Sequence, residues 1–176
     1  MTTYIALIRA VNVGGTGKLP MAELRALCAT LGYGRVETYI ASGNVVFDSE
    51  LAAERVQAQL EHRLRAHTGK DVGVFLRTAA QMRSTLTKNP FADKDPQRTY
   101  AFFLHDAPAA GALAGVRGRV DEDIGLAGRE IYVHYPSGMG QSKLQIPAAK
   151  LGTARNLNTV AKLVELSGRR TNPPSK

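Results

Sequence analysis

Four stretches of this chain carry residue types suited to holding a charged small molecule. "NVGGTGK" (12–18) brings Gly14, Gly15, Gly17 and Lys18 to a point where a strand passes into a helix. Such a junction offers free backbone N–H groups and the positive end of a helix dipole, which together favour an anion. A nucleotide-triphosphatase loop needs glycine five positions before its Gly-Lys pair and Ser or Thr after it. Asn12 and Leu19 stand there instead, which excludes that chemistry. "SGN" (42–44) reads first as a hairpin turn, because glycine and asparagine tolerate left-handed backbone. "HYPSGMGQSKL" (134–144) ends on Ser142 and Lys143, a hydroxyl and an ammonium on glycine-spaced backbone, a combination suited to phosphate or carboxylate. As an acyl-transfer pair these two would need mutual reach, and neighbours in sequence point apart. "TARNLNTVAKL" (153–163), read as a helix capped by Thr153, turns Leu157, Val160, Ala161 and Val164 inward. Arg155, Asn158, Thr159 and Lys162 then share the opposite face, with no acid before Glu165.

Other chemistries score poorly. His62 and His67 are five apart, His105 and His134 stand alone, and no His/Cys pair has metal-ligand spacing. The run Asp121, Glu122, Asp123 beside Arg117 and Arg119 reads as the charged start of a strand rather than an acid–base pair. Cys28 falls on an apolar helix stripe and reads as a small core residue.

The elements that must position these groups follow from periodicity. A strand at 3–9 leads through the 10–20 loop into a helix beginning at Pro20, with Leu24, Leu27, Cys28 and Leu31 inward. Residues 35–48 form a hairpin around "ASGN", 51–68 a helix striped by Leu51, Val56, Leu60 and Leu64, and 71–77 a strand. The order βαββαβ is that of a ferredoxin-like unit. Ile5, Leu7, Val36, Ile40, Val45, Phe47, Val74 and Leu76 are expected to face its helices. Tyr4, Ala6, Ile8, Tyr39, Val46 and Phe75 then form a second apolar face that must be covered by the rest of the chain or another subunit. The second half is expected to run helix (78–88), strand (98–105), short helix (108–115), two strands (120–126, 129–135) and a final helix (154–167). The fold class is α+β: a ferredoxin-like half (1–80), a related half (81–168) and a flexible basic tail (169–176).

The chain has 176 residues, 44% apolar and 22% charged, which is ordinary globular usage and excludes wholesale disorder. No apolar run is long enough to span a bilayer and no signal-peptide pattern opens the chain, so no membrane role is expected. A single cysteine fits a reducing cytoplasm. The net charge of +8 is uneven: residues 1–77 carry nine basic and seven acidic side chains, 78–141 seven of each, and 142–176 seven basic against Glu165 alone. A field of one sign concentrated in one segment attracts anions.

The stretches "ALIRAVNVGGTGKLPMAELRALCATLGY", "VETYIASGNVVFDS", "KNPF", "IYVHYPSGMGQSKL" and "TARNLNTVAKL" together resemble the bacterial DUF1697 family, a domain of unknown function. The resemblance implies an α+β protein with a ferredoxin-like half and no established reaction. It places the signature polar residues on Arg9, Asn12, Gly14, Gly15, Lys18, Ser42, Gly43, Asn44, Ser142, Lys143, Arg155, Asn156 and Thr159. Ala10 and Leu157 depart from the glycine and tryptophan common in the family. Adding Asn158 from the helix face, these residues are expected to form a site for a small anionic or phosphorylated ligand in a cleft between the halves, without a metal and with the cofactor unspecified. Two other readings stay open: a nucleic-acid-binding module, and a homodimeric interaction protein without catalysis. Against the first, "SGNVVFDS" lacks the basic and aromatic run of RNA-binding sheets.

Overall fold

A strand that is apolar on both faces belongs in the interior of a sheet, and β1 (Thr2–Ile8) lies there. In the computed structural model, which describes residues 1–9 and 19–170, the chain is a mixed α+β protein with two four-stranded antiparallel sheets and four helices. Asn12, Gly14, Gly15 and Lys18 lie outside the described residues. The elements after β1 are α1 (Met21–Thr30), β2 (Gly34–Tyr39), β3 (Asn44–Ser49), α2 (Ala53–Thr68), β4 (Val74–Thr78), α3 (Ala79–Thr87), β5 (Thr99–Phe103), β6 (Asp123–Ala127), β7 (Glu130–His134), β8 (Thr153–Asn156) and α4 (Leu157–Gly168). The chain divides into two compact units: Met1–Met82 with Leu163–Lys176, and Arg83–Lys162.

The first sheet has the order β2-β3-β1-β4. Leu24, Leu27 and Cys28 of α1 and Val56, Leu60 and Leu64 of α2 pack on Tyr4, Ala6, Ile8, Val45, Phe47, Val74 and Leu76. The phase of β1 is thus opposite to the expected one. Ile5 and Leu7 lie on the other face beside Val46 and Phe75, and all four are at most 1% exposed. Ile40, expected inward, is exposed in the turn after β2 at φ 50°. The second apolar face therefore exists and is buried, with a different membership.

The second sheet repeats the strand order as β6-β7-β5-β8: a hairpin, then the unit's first strand, then its last. Its connections differ. Residues 108–115 form successive turns rather than a helix, with Ala112 N–H on Ala109 O (3.0 Å) and Ala114 N–H on Gly111 O (3.0 Å). Gly111 and Gly115 make helix costly there. Between β7 and β8 only two 3-10 turns occur, Met139–Gln141 and Pro147–Ala149. Leu113, Val116, Leu144, Ile146, Ala148 and Ala149 from these connections pack with Tyr100, Phe102, Ile124, Ile131 and Val133 of the sheet.

The last helix starts later than expected. Residues Thr153–Asn156 form β8, paired with β5, so Thr153 is not a cap. Asn156 takes that role, its Oδ1 accepting the Thr159 N–H at 2.9 Å. Leu157, Val160, Leu163 and Leu166 form the buried stripe of α4, whereas Ala161 is exposed and Val164 half-buried. Of the residues expected in a solvated tail, Arg169 pairs with Glu165, and Arg170 donates to Val46 O (3.2 Å) and lies 3.6 Å from Glu37 and 3.8 Å from Asp48. Thr171–Lys176 lie outside the described residues.

Candidate functional site

In the unit Arg83–Lys162 the two helix-free connections meet edge to edge. Arg117 and Gln145 exchange backbone hydrogen bonds at 3.0 and 2.8 Å. One residue on, Gly118 sits at φ +69°, where a Cβ would come within 2.2 Å of the Lys143 carbonyl. Only glycine fits an approach this close on a left-handed backbone.

Glu122 fastens the same junction. Its residue is 3% exposed, and its Oε2 accepts the N–H groups of Val120 (2.7 Å) and Asp121 (3.2 Å). Its Oε1 accepts the Ser142 hydroxyl in a short hydrogen bond. The Ser142 hydroxyl oxygen in turn accepts the Leu144 N–H at 3.1 Å. The Ser142 donor first, and then the Val120 N–H, hold the Glu122 carboxyl down at about 2. Glu122 is therefore ionised at neutral pH, with its oxygens occupied by donors.

Above this junction opens a pocket of about 480 Å³, lined among others by Arg119, Asp121, Glu122, Tyr135, Ser142 and Lys143. That volume lies within the usual range for small-molecule sites. Asp121 accepts the Ser137 hydroxyl at 2.7 Å. Arg119 donates Nε to the Glu122 carbonyl at 2.7 Å. Neither Arg119 nor Lys143 has a carboxylate partner among the described residues. Two carboxylates and two cations thus share the pocket wall: the acids accept hydrogen bonds from the protein, and Arg119 and Lys143 form no ion pair with a carboxylate among the described residues. Tyr135 is 5% exposed, and burial first, then the nearby Glu122 charge, push its hydroxyl up to about 12. It stays a neutral hydrogen-bonding group at physiological pH.

None of the other expected site residues that are described lines this pocket. Arg9 is half-buried and its N–H bonds Gly73 O (2.8 Å). Asn44 is fully buried, its Nδ2 donating to Tyr39 O and Ser42 Oγ at 2.9 Å each, and Gly43 (φ 87°) accepts the Ile8 N–H at 2.8 Å. "SGN" thus closes the β2–β3 hairpin. Arg155 is a correction: it is a buried strand residue opposite Ala101, not a member of the α4 polar face. It donates to Thr153 Oγ1 and Ala154 O at 2.8 Å, and burial pushes its guanidinium down to about 10. Asn156 is spent on its cap, Thr159 is buried with its N–H taken, and Asn158 is exposed. Of the expected residues, Ser142 and Lys143 line the pocket. Sequence reasoning missed Gly118, Arg119, Glu122 and Tyr135 as their neighbours. No group of three or more His, Cys, Asp or Glu among the described residues is placed to hold a metal. None of the described helices is long and apolar enough to cross a membrane.

No curated protein matches this chain. Among solved structures, the conserved bacterial protein SP0830 from Streptococcus pneumoniae is similar over 94% of this chain and 98% of its own, at 26% identity and a TM-score of 0.79. Residues 1–132 match the family described as Protein of unknown function (DUF1697). A match over three-quarters of the sequence, joined to a shared α+β fold, means that the chain belongs to the DUF1697 family.

Proposed function

We propose that this protein binds a small anionic molecule, such as a phosphorylated metabolite, in the pocket lined by Arg119, Ser142 and Lys143. The observation that carries the reading is the charge inventory of that pocket. Two cations and two carboxylates line it, but Asp121 and Glu122 are tied down by protein donors, while Arg119 and Lys143 form no ion pair with a carboxylate among the described residues and can turn to a ligand. Cations of this kind on a concave wall attract and orient an anion. The Arg117–Gln145 bridge and the Glu122–Ser142 bond hold the two walls together, so little ordering is left for the ligand to impose.

The test is thermal stabilisation by inorganic phosphate and pyrophosphate. A ligand at a hundred times its Kd stabilises by about 2.7 kcal/mol, which raises Tm by roughly 5–10 °C in a chain of this length. Lys143→Ala and Arg119→Ala are each expected to remove most of the shift, and Lys88→Ala to leave it intact. Unchanged shifts in both pocket variants would overturn the reading. Stabilisation by oligonucleotides alone, steeply weakened by salt, would favour nucleic-acid binding instead.

A further inference from the structure

A second cavity shares one wall residue, Tyr135, with the first and differs from it in chemistry. It measures about 270 Å³ and is lined by Phe102, Tyr135, Leu144, Ile146 and Ala149, with Gln145 and Lys150 also on its wall. Tyr135 belongs to both linings, and the consecutive residues Lys143 and Leu144 line one cavity each. The Tyr135 ring is fixed by an edge-on contact with Tyr100, with centroids 5.7 Å apart and planes at 82°. Gln145 is exposed: its backbone serves the bridge to Arg117, and its side-chain amide bonds no protein group among the described residues.

Resting on the anion site of the preceding section, we infer that the ligand is an aromatic heterocycle joined to a phosphate by a short linker, the chemistry of a nucleoside monophosphate. The phosphate meets Lys143 and Arg119. The ring enters the cavity walled by Phe102, Leu144 and Ile146, against the fixed ring of Tyr135. Apolar walls and an aromatic ring favour a flat, poorly hydrated group. The uncommitted amide of Gln145, one donor and one acceptor function, suits the edge of a nitrogen heterocycle better than a plain hydrocarbon.

Titration calorimetry with inorganic phosphate, AMP and adenosine tests the assignment. AMP is expected to bind at least about ten-fold more tightly than either phosphate or adenosine, because it alone fills both cavities. Ala149→Met, which fills the second cavity, and the milder Leu144→Ala are expected to lower AMP affinity toward that of phosphate while leaving phosphate binding unchanged. Lys143→Ala is expected to weaken both phosphate and AMP. Phosphate binding with no gain for AMP overturns this inference and leaves the anion site standing. Adenosine binding as tightly as AMP overturns the pairing of the two cavities. Failure of both phosphate and AMP to bind overturns the anion site, and this inference with it.

Discussion

Replacing Glu122 separates its structural role from that of a surface acid. The carboxylate accepts two backbone N–H groups and the Ser142 hydroxyl across the junction of two connections. Glu122→Gln keeps the size but removes the charge, so the remaining hydrogen bonds lose their charge assistance, at a cost of about 1–2 kcal/mol. In a chain of this length that lowers Tm by roughly 2–8 °C at pH 7. Glu122→Ala removes all three acceptor contacts and is expected to lower Tm further than the Gln variant. The pH dependence gives a second readout. The carboxyl falls from an ordinary 4.5 to about 2 on folding, so the unfolded chain takes up the proton first as pH drops. The stability it contributes is complete above 4.5 and is lost as pH falls toward 2. The gap between native protein and Glu122→Gln, read from urea melts of the unit's signal, is thus expected to be constant from pH 7 to 5 and to close below 4.5. A Gln variant that melts like the native protein at pH 7, or a gap unchanged down to pH 2.5, would refute the reasoning.

Three further outcomes follow from the same geometry. Gly118→Ala puts a Cβ 2.2 Å from the Lys143 carbonyl at a positive φ, so thermal melts should show a loss of about 2 kcal/mol or more together with weakened phosphate binding. Asn156→Ala removes the cap on Thr159 N–H and should cost about 1 kcal/mol in denaturant melts, with Asn156→Asp close to neutral. Cys28 is fully buried, and burial pushes its thiol up to about 12, so a thiol reagent at pH 8 should label it only after denaturant is added; rapid labelling of the native protein would contradict its placement.

The residues explain which parts of this structure could be read in advance. Helices α1 and α2 carry apolar side chains on one stripe and polar ones elsewhere, so period and phase are both written locally. β1 has no such asymmetry. Tyr4, Ala6 and Ile8 on one face are as apolar as Ile5 and Leu7 on the other, so its strand character was legible and its phase was not. Residues Thr153–Asn156 are equally ambiguous: Ala154 and Arg155 suit a helix, and both Thr153 and Asn156 can cap one. The deciding contact is the pairing of β8 with β5, which comes from some fifty residues earlier in the chain. The Ser142–Lys143 loop stood out through its glycines and its cation. Glu122 did not, because a carboxylate amid Arg117, Arg119, Asp121 and Asp123 looks like any charged surface until Ser142 is brought against it.

The two sheets share a strand order, but their connections cover them differently. In the first, α1 and α2 lay apolar stripes on the sheet, and Cys28, Leu60 and Leu64 of those stripes are fully buried. In the second, Gly111, Gly115 and Gly118 on one connection, and Pro136, Gly138, Gly140 and Pro147 on the other, discourage a long helix in either. Irregular chain cannot satisfy its own backbone as a helix does, so its polar groups seek partners across the gap. They find them in the Arg117–Gln145 bridge and around the Glu122 carboxylate. Such a cover is stitched at a few points rather than packed along its length. It leaves cavities of about 480 and 270 Å³, both lined by Tyr135. The residues that lock this stitching, Gly118 and Glu122 foremost, also line the larger cavity, so a change at either bears on the fold of the cover and on binding together.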